Sequence, residues 1–250
     1  MLGHILLLIF IILSILIIFS TPDSVADSTP VVITPLDEPY VEIVEKYVLD
    51  KVKLKQEAQL VKEIVIRPHH GVVLGSSTGH LVNELNALGL YTTGVDESKY
   101  MVRHAKDLFP HTYTQGEYTC SLLFPEQSLS HVLCMDYTMA FLQDKASMFR
   151  TVHQWLELGG LFFVHIPLSW DYGSRPSSTY TSMYLHNSLR EKATLDKTYT
   201  ITRPVYMEPK QTILAVASQY GFEVYRTVSL PFPYESYQVV VFKSVDPVYL

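Results

Sequence analysis

Cysteine is scarce: Cys120 and Cys134 are the two in 250 residues, with no Cys-x-x-Cys pair, which excludes a disulfide scaffold and a zinc ribbon. Both fall in or near strand-like apolar sequence, which predicts two buried thiols. A basic surplus is missing as well. Net charge is −6, and because residues 1–40 hold four acids and no Lys or Arg, the remainder is close to neutral. No nucleic acid partner is expected from that balance. Internal repeats are absent, and so is any metal-ligand spacing. His69 and His70 are adjacent, so extended backbone would point them to opposite faces, and neither they nor His80 have a carboxylate or thiol placed to complete a metal set. What remains is a chain with 48% hydrophobic residues, long enough for one domain with a real core plus attachments.

The longest apolar run is at the start. Leu2–Phe19 is interrupted only by Gly3, His4 and Ser14, and eighteen helical residues span about 27 Å, close to a bilayer core. Residues 1–20 are therefore expected to form a transmembrane or signal-anchor helix, making the protein a single-pass membrane protein with a cytosolic domain. The alternative is a signal peptide cleaved near Ser24-Val-Ala26, which would leave a secreted or luminal product. The first Lys is Lys46, too distant for flanking charge to set an orientation. Residues 21–40, with Pro22, Pro30, Pro35 and Pro39, predict an extended linker. The folded domain is assigned to 41–250.

From Val41 apolar residues recur at helical spacing (Val44, Val48, Val52, Leu60, Ile64). Lys53 and Glu57, with the balanced charges around them, are read as a solvated helix face. Strand-like and helix-like stretches then alternate through Ile166, which predicts a parallel sheet covered on both faces. Residues 168–208 break the alternation. They are rich in Tyr, Ser and Thr and are read as a substrate-side insert, where Tyr172, Tyr180, Tyr184 and Tyr199 form either a lid or simple aromatic packing. A helix over Pro209–Tyr220 and two terminal strands, Glu223–Leu230 and Tyr237–Lys243, close the chain as an antiparallel addition to the sheet edge.

The chemistry concentrates where an apolar strand enters a small-residue turn, Gly71-Val-Val-Leu-Gly-Ser-Ser-Thr-Gly79, and a second strand ends in acid, Gly94-Val-Asp-Glu-Ser98. Glycine lets backbone approach a ligand, and a carboxylate at the end of the second strand accepts hydrogen bonds from a ribose diol. Two further segments follow: Gln115-Gly-Glu117 leading to Val132-Leu-Cys-Met-Asp136, and a helix, a Gly159-Gly160 turn and the strand to Ile166. In this order and spacing the four segments resemble a class I S-adenosylmethionine-dependent methyltransferase of the type 11 group, over about residues 64–166 and, through the closing elements, to 243. The resemblance implies a Rossmann-like, doubly wound α/β fold with a mostly parallel seven-stranded sheet and an antiparallel terminal strand.

That resemblance also implies S-adenosyl-L-methionine as cofactor. It assigns Gly75, Ser76, Ser77, Thr78 and Gly79 to the methionine part, Asp96 and Glu97 to the ribose, Glu117 and Tyr118 to the adenine, and Met135 and Asp136 to the crevice. Three departures mark the first motif as degenerate: Val73 stands where the family has an acid, Ser77 replaces the middle glycine, and Tyr137–Leu142 lacks the usual Glu-His pair. No catalytic base stands out, and His165 is expected to pack within its strand. The implied activity is methyl transfer from a membrane-tethered enzyme to a small-molecule, lipid or protein acceptor. The alternative is an inactive, membrane-attached binding or scaffold module.

Overall fold

The computed structural model describes residues 29–66, 69–167, 178–185 and 187–246. The expected anchor at 1–20 lies outside them, and among the described residues no helix is long and apolar enough to cross a membrane.

In chain order, β1 (Val31–Ile33) leads into α1 (Pro39–Ile43), a π-helical turn over Val44–Val48 and α2 (Lys51–Ile64). Then come β2 (Gly71–Leu74), α3 (His80–Ala87), β3 (Thr92–Asp96), α4 (Lys99–Leu108), β4 (Tyr113–Gln115) and β5 (Leu129–Cys134). The short α5 (Thr138–Phe141), α6 (Lys145–Trp155) and β6 (Leu156–His165) follow. A meander of β7 (Tyr180–Leu185), β8 (Ser188–Thr194) and β9 (Thr198–Pro204) precedes α7 (Lys210–Gln219), β10 (Phe222–Ser229) and β11 (Gln238–Ser244).

Seven strands form the main sheet in the order β10-β11-β6-β5-β2-β3-β4. Pairings from β6 through β4 are parallel, and β11 and β10 add antiparallel at one edge. Its central strands β2 and β5 are buried along their whole length, which is why Val72–Leu74 and Val132–Cys134 read as apolar runs, while Ser130 and His131 of β5 are buried polar exceptions. Alternate residues serve two cores. Val73, Leu133, Phe163 and Val241 pack under α2, α3 and α4, while Val72, Val132, Phe162 and Phe242 pack under α6 and α7. From β2 the chain first builds outward through β3 and β4, then returns to lay β5 and β6 on the other side. The carboxyl ends of β2 and β5 therefore flank the point where strand order reverses, and there a crevice is expected.

A second, four-stranded sheet, β1-β9-β8-β7, lies beside the first. Its inner face buries Ile33, Tyr180, Ala193, Tyr199 and Ile201 against Tyr40, Ile43 and Met101. Four expectations are corrected. The linker ends at residue 30: Val31–Ile33 pairs in parallel with β9, and Tyr40 is buried. The leading helix is two helices, interrupted at Leu49 and restarted by Asp50, whose carboxylate caps the amides of Val52 and Lys53. Much of the 168–208 insert is regular antiparallel strand. Cys120 is exposed; only Cys134 is buried, and both thiols are free.

Phe149 of α6 meets Phe162, Phe222 and Phe242 edge-on at ring separations of 5.5–5.7 Å. Truncating it to Ala is expected to cost about 3–5 kcal/mol in urea unfolding. A loss of only about 0.5 kcal/mol, the size of a surface substitution, would mean that these rings do not hold α6 on the sheet.

Candidate functional site

The turn after β2 is shaped by its backbone. Gly75, Ser77 and Gly79 all adopt positive φ (69°, 50° and 86°). At Gly75 a Cβ would meet the Thr138 hydroxyl at 2.5 Å, so an alanine there is excluded by packing as well as by conformation. Ser77 carries the left-handed conformation at some cost, and its amide donates to Asp96 Oδ2 at 2.8 Å. The other carboxylate oxygen of Asp96 accepts the Ser98 amide at 2.9 Å. One buried acid thus ties the turn to the start of α4. Burial pushes its pKa up, and the two amides pull partly against that. Each oxygen keeps a further lone pair for an outside donor.

A cavity of about 480 Å³ opens at this turn, within the roughly 300–1,000 Å³ usual for small-molecule sites. One end is bounded by Gly75–Thr78, Asp96, Glu97, Tyr118, Met135 and Asp136. Tyr40 and Phe141, grouped around the Arg203 guanidinium, and the apolar Val48 also line the cavity. The guanidinium of Arg203 lies 3.5 Å from the Phe141 ring centre and its Nε 3.8 Å from buried Glu191.

Most residues expected at the site are brought together. Ser76 is buried, with its hydroxyl lacking a hydrogen-bond partner among the described residues. The Ser77 hydroxyl turns to the Met101 sulfur at 3.8 Å, and Thr78 is buried. Gly79 stands apart as the residue before α3, where Tyr113 fills the space a Cβ would need. Glu117 is exposed and does not line the cavity, although its charge acts with Asp96 and burial to raise Glu97. Burial, and then Asp96 and Glu97, lift the Tyr118 hydroxyl well above the usual phenol range. Tyr180 and Tyr199 pack inside the small sheet, Tyr184 bonds Asn187 with its hydroxyl, and Tyr172 lies outside the described residues.

Sequence reasoning misses the charged floor of the cavity. Lys53 and Glu57 do not form a solvated face. The Lys53 ammonium meets Asp136 Oδ1 at 2.5 Å, and Glu57 is fully buried beside it. Burial alone would depress Lys53, but Asp136, Glu57 and Asp50 surround it and raise it above its ordinary value. Burial likewise favours a protonated Asp136, yet Lys53 outweighs that and holds its pKa down. For Glu57 burial wins, lifting the carboxyl to about 7 against the pull of Lys53. Asp136 adopts a φ of 52°, with its amide donating to the Tyr237 hydroxyl and its carbonyl bonded to His165 Nδ1. His165 stacks on Tyr237 and is kept neutral by burial, with a pKa of about 4. A signal was present: extending the buried stripe Leu60, Val61 and Ile64 backwards along α2 lands on Glu57 and Lys53.

Lined by Asp50, Glu57, Asp96, Glu97 and Asp136 against Lys53 and Arg203, the cavity favours a cationic occupant. A nucleoside sulfonium fits that donor set: carboxylate for ribose hydroxyls, a backbone turn with positive φ for close approach, and excess negative charge.

Residues 72–164 match the methyltransferase domain family. No curated protein matches the chain. Among solved structures, the fold is similar to the CcbJ methyltransferase from Streptomyces caelestis, with a TM-score of 0.66 and 17% identity over 85% of this chain and 99% of that one. It is similar to the sugar N-methyltransferase KedS8 from Streptoalloteichus, with a TM-score of 0.64 and 15% identity over 83% and 93% of the two chains. CalS10 from Micromonospora echinaspora, an amino pentose methyltransferase solved with S-adenosylmethionine bound, gives a TM-score of 0.59 and 14% identity over 84% and 98%. The chain has the class I methyltransferase fold.

Glu57 binds its proton more tightly folded than unfolded, so its stabilising contribution is full below its ordinary 4.5 and lost as pH rises to about 7. That loss is of order 3 kcal/mol. Urea unfolding across this window should show Glu57→Gln gaining on the wild type as pH rises and levelling off above 7. Parallel curves would remove Glu57 as the titrating group.

Proposed function

We propose that this protein transfers a methyl group from S-adenosyl-L-methionine to a small-molecule acceptor held in the aromatic end of the cavity. The observation that carries the reading is the acid-rich cavity of about 480 Å³ at the reversal of strand order, closed by the glycine turn and Asp96. Its support is the matched methyltransferase domain, together with solved neighbours that include complexes with S-adenosylmethionine or sinefungin and two sugar methyltransferases.

The cofactor supplies an activated methyl group and a neutral thioether leaving group; the protein's task is alignment and exclusion of water. Asp96, already fixed by two amides, offers its remaining lone pairs to the ribose hydroxyls. Backbone groups of Gly75–Thr78 take the amino-acid portion, with Ser76 Oγ an orphan polar atom beside them. Glu97, Tyr118 and Met135 flank the base. Asp136, with 42% of its side chain exposed, lines the same cavity. The Asp136 carboxylate, held beside the Lys53 ammonium and open to the cavity, is the group placed to take a proton released by the acceptor. Ser77 leaves room for this despite departing from glycine, because its hydroxyl points at Met101. That weakens the case for an inactive scaffold.

Calorimetry with S-adenosylmethionine should give saturable binding. At a hundredfold excess over Kd the ligand should add about 2.7 kcal/mol to unfolding. Asp96→Ala should weaken affinity roughly tenfold to a hundredfold, with Asp96→Asn, which keeps the shape of the turn, falling between. Absence of heat and of any thermal shift with both S-adenosylmethionine and S-adenosylhomocysteine would refute the reading.

A further inference from the structure

The small sheet has an outer face that nothing among the described residues covers. Strand register assigns its rows: Val32 opposite Thr200, Thr200 opposite Lys192 and Lys192 opposite Thr181; then Thr202, Arg190 and Met183; then Pro204, Ser188 and Leu185. Opposed residues share a face. The alternating residues Leu189, Glu191 and Ala193 of β8 are buried beneath. Met183 and Leu185, on β7 at one edge of the face, are 53% and 41% exposed, and Val32, on β1 at the other edge, is 80% exposed. Arg190 and Lys192 stand among them, both exposed, and these rows hold no Asp or Glu. The neighbouring acid of β8, Glu191, points inward to the hydroxyls of Tyr40 and Tyr180.

Two further observations say what covers this face. The described chain begins at Thr29, two residues before β1 of this same sheet, and the apolar run Leu2–Phe19 precedes it by only ten residues. Beyond Ile33 strand β9 is left without a neighbour on that side, and Thr202 and Pro204, together with Thr34–Leu36, line the cavity there. The mouth of the cavity thus adjoins the apolar and cationic face.

We propose that the outer face of this sheet seats on an anionic phospholipid bilayer, with Arg190 and Lys192 at the headgroups and Val32, Met183 and Leu185 at the acyl boundary. Two lysine or arginine side chains near such a surface favour docking by about thirtyfold, and apolar contact adds to that. The seat turns the cavity mouth towards the membrane, so an acceptor enters from the lipid side. It does not depend on what the cavity binds.

The test uses the full chain carrying Met183→Cys with Cys120→Ser, labelled with a fluorophore and mixed with vesicles containing brominated phosphatidylcholine. A second labelled chain carries Leu158→Cys, near the amino-terminal end of β6 and away from the carboxyl ends that flank the cavity. The dye at 183 should be quenched when equal parts phosphatidylserine are present, and the dye at 158 should not. Arg190→Gln with Lys192→Gln should reduce docking affinity about thirtyfold, and high salt should weaken it as well. Affinity for S-adenosylmethionine should be unchanged in that double variant, which separates failure of the seat from failure of the cavity. Equal quenching at 183 and 158 would overturn the proposal. So would shielding of the 183 dye without vesicles, which would mean a second copy covers the face.

Discussion

The cavity exists because Lys53 reaches across to Asp136. Helix α2 could pack on the sheet through Leu60, Val61 and Ile64 alone, but its first two turns carry Asp50, Lys53 and Glu57, which an apolar interface would reject. The ion pair to Asp136 makes burial of those turns tolerable and fixes the helix over the carboxyl end of β5. The desolvation penalty for such a pair is several kcal/mol per ion in a dry interior. Here Asp136 stays partly open to the cavity, which lowers that penalty. The Tyr234 hydroxyl donating to Asp50 at 2.6 Å and Tyr237 beside Asp136 bring the β10–β11 connection to the same point. Separate stretches of sequence therefore meet at one charge pair.

Asp96 acts on the other wall in a different way. It has no cation; its charge is carried by two backbone amides, those of Ser77 and Ser98. That arrangement holds the turn rigid without neutralising the carboxylate. Summed with Glu57, Glu97 and Asp136, it leaves the cavity with excess negative charge in a region of low dielectric. Such a site repels anions and lowers the energy of a sulfonium before any specific contact forms. Burial raises the pKa values of Asp96, Glu97 and Glu57, and neighbouring acids add to it at Glu97 and Glu57. Accumulated like charge of this kind is tolerated where binding needs it.

The parallel sheet is legible in the sequence because strands buried on both faces have no freedom to be polar. Val72–Leu74, Val132–Cys134 and Leu161–His165 can be read directly, and the acid ending β3 falls where a crevice is expected. The small sheet is harder. Each of its strands is buried on one face only, and although β7, β8 and β9 pair with their neighbours in sequence, β1 reaches β9 across about 170 residues. Residues such as Thr200 and Arg190 are neutral to such pairing, so local composition is silent. Lys53 and Glu57 mislead for the opposite reason. Their i, i+4 spacing is that of a solvated pair, and only tertiary structure turns that spacing inward. Cys120 reads as buried because its neighbours are apolar, yet it sits in the connection before β5 rather than in a strand.

The two halves of the cavity differ in what fixes them, and so in what can vary. The half at the glycine turn is held by backbone hydrogen bonds and by packing that forbids a side chain at Gly75, so it accepts few substitutions. The aromatic half rests on β9 and on side chains from α1, α5 and the π-helical turn. Its one charge, Arg203, is tied to Glu191, which in turn takes hydroxyls from Tyr40 and Tyr180. Tyr40, Tyr180 and Arg203 thus all converge on Glu191 of β8. The cavity thereby shares its lining with the small sheet whose outer face nothing among the described residues covers. Thr34–Leu36, which lead from β1 to α1, line the cavity beside Thr202 and Pro204 of β9.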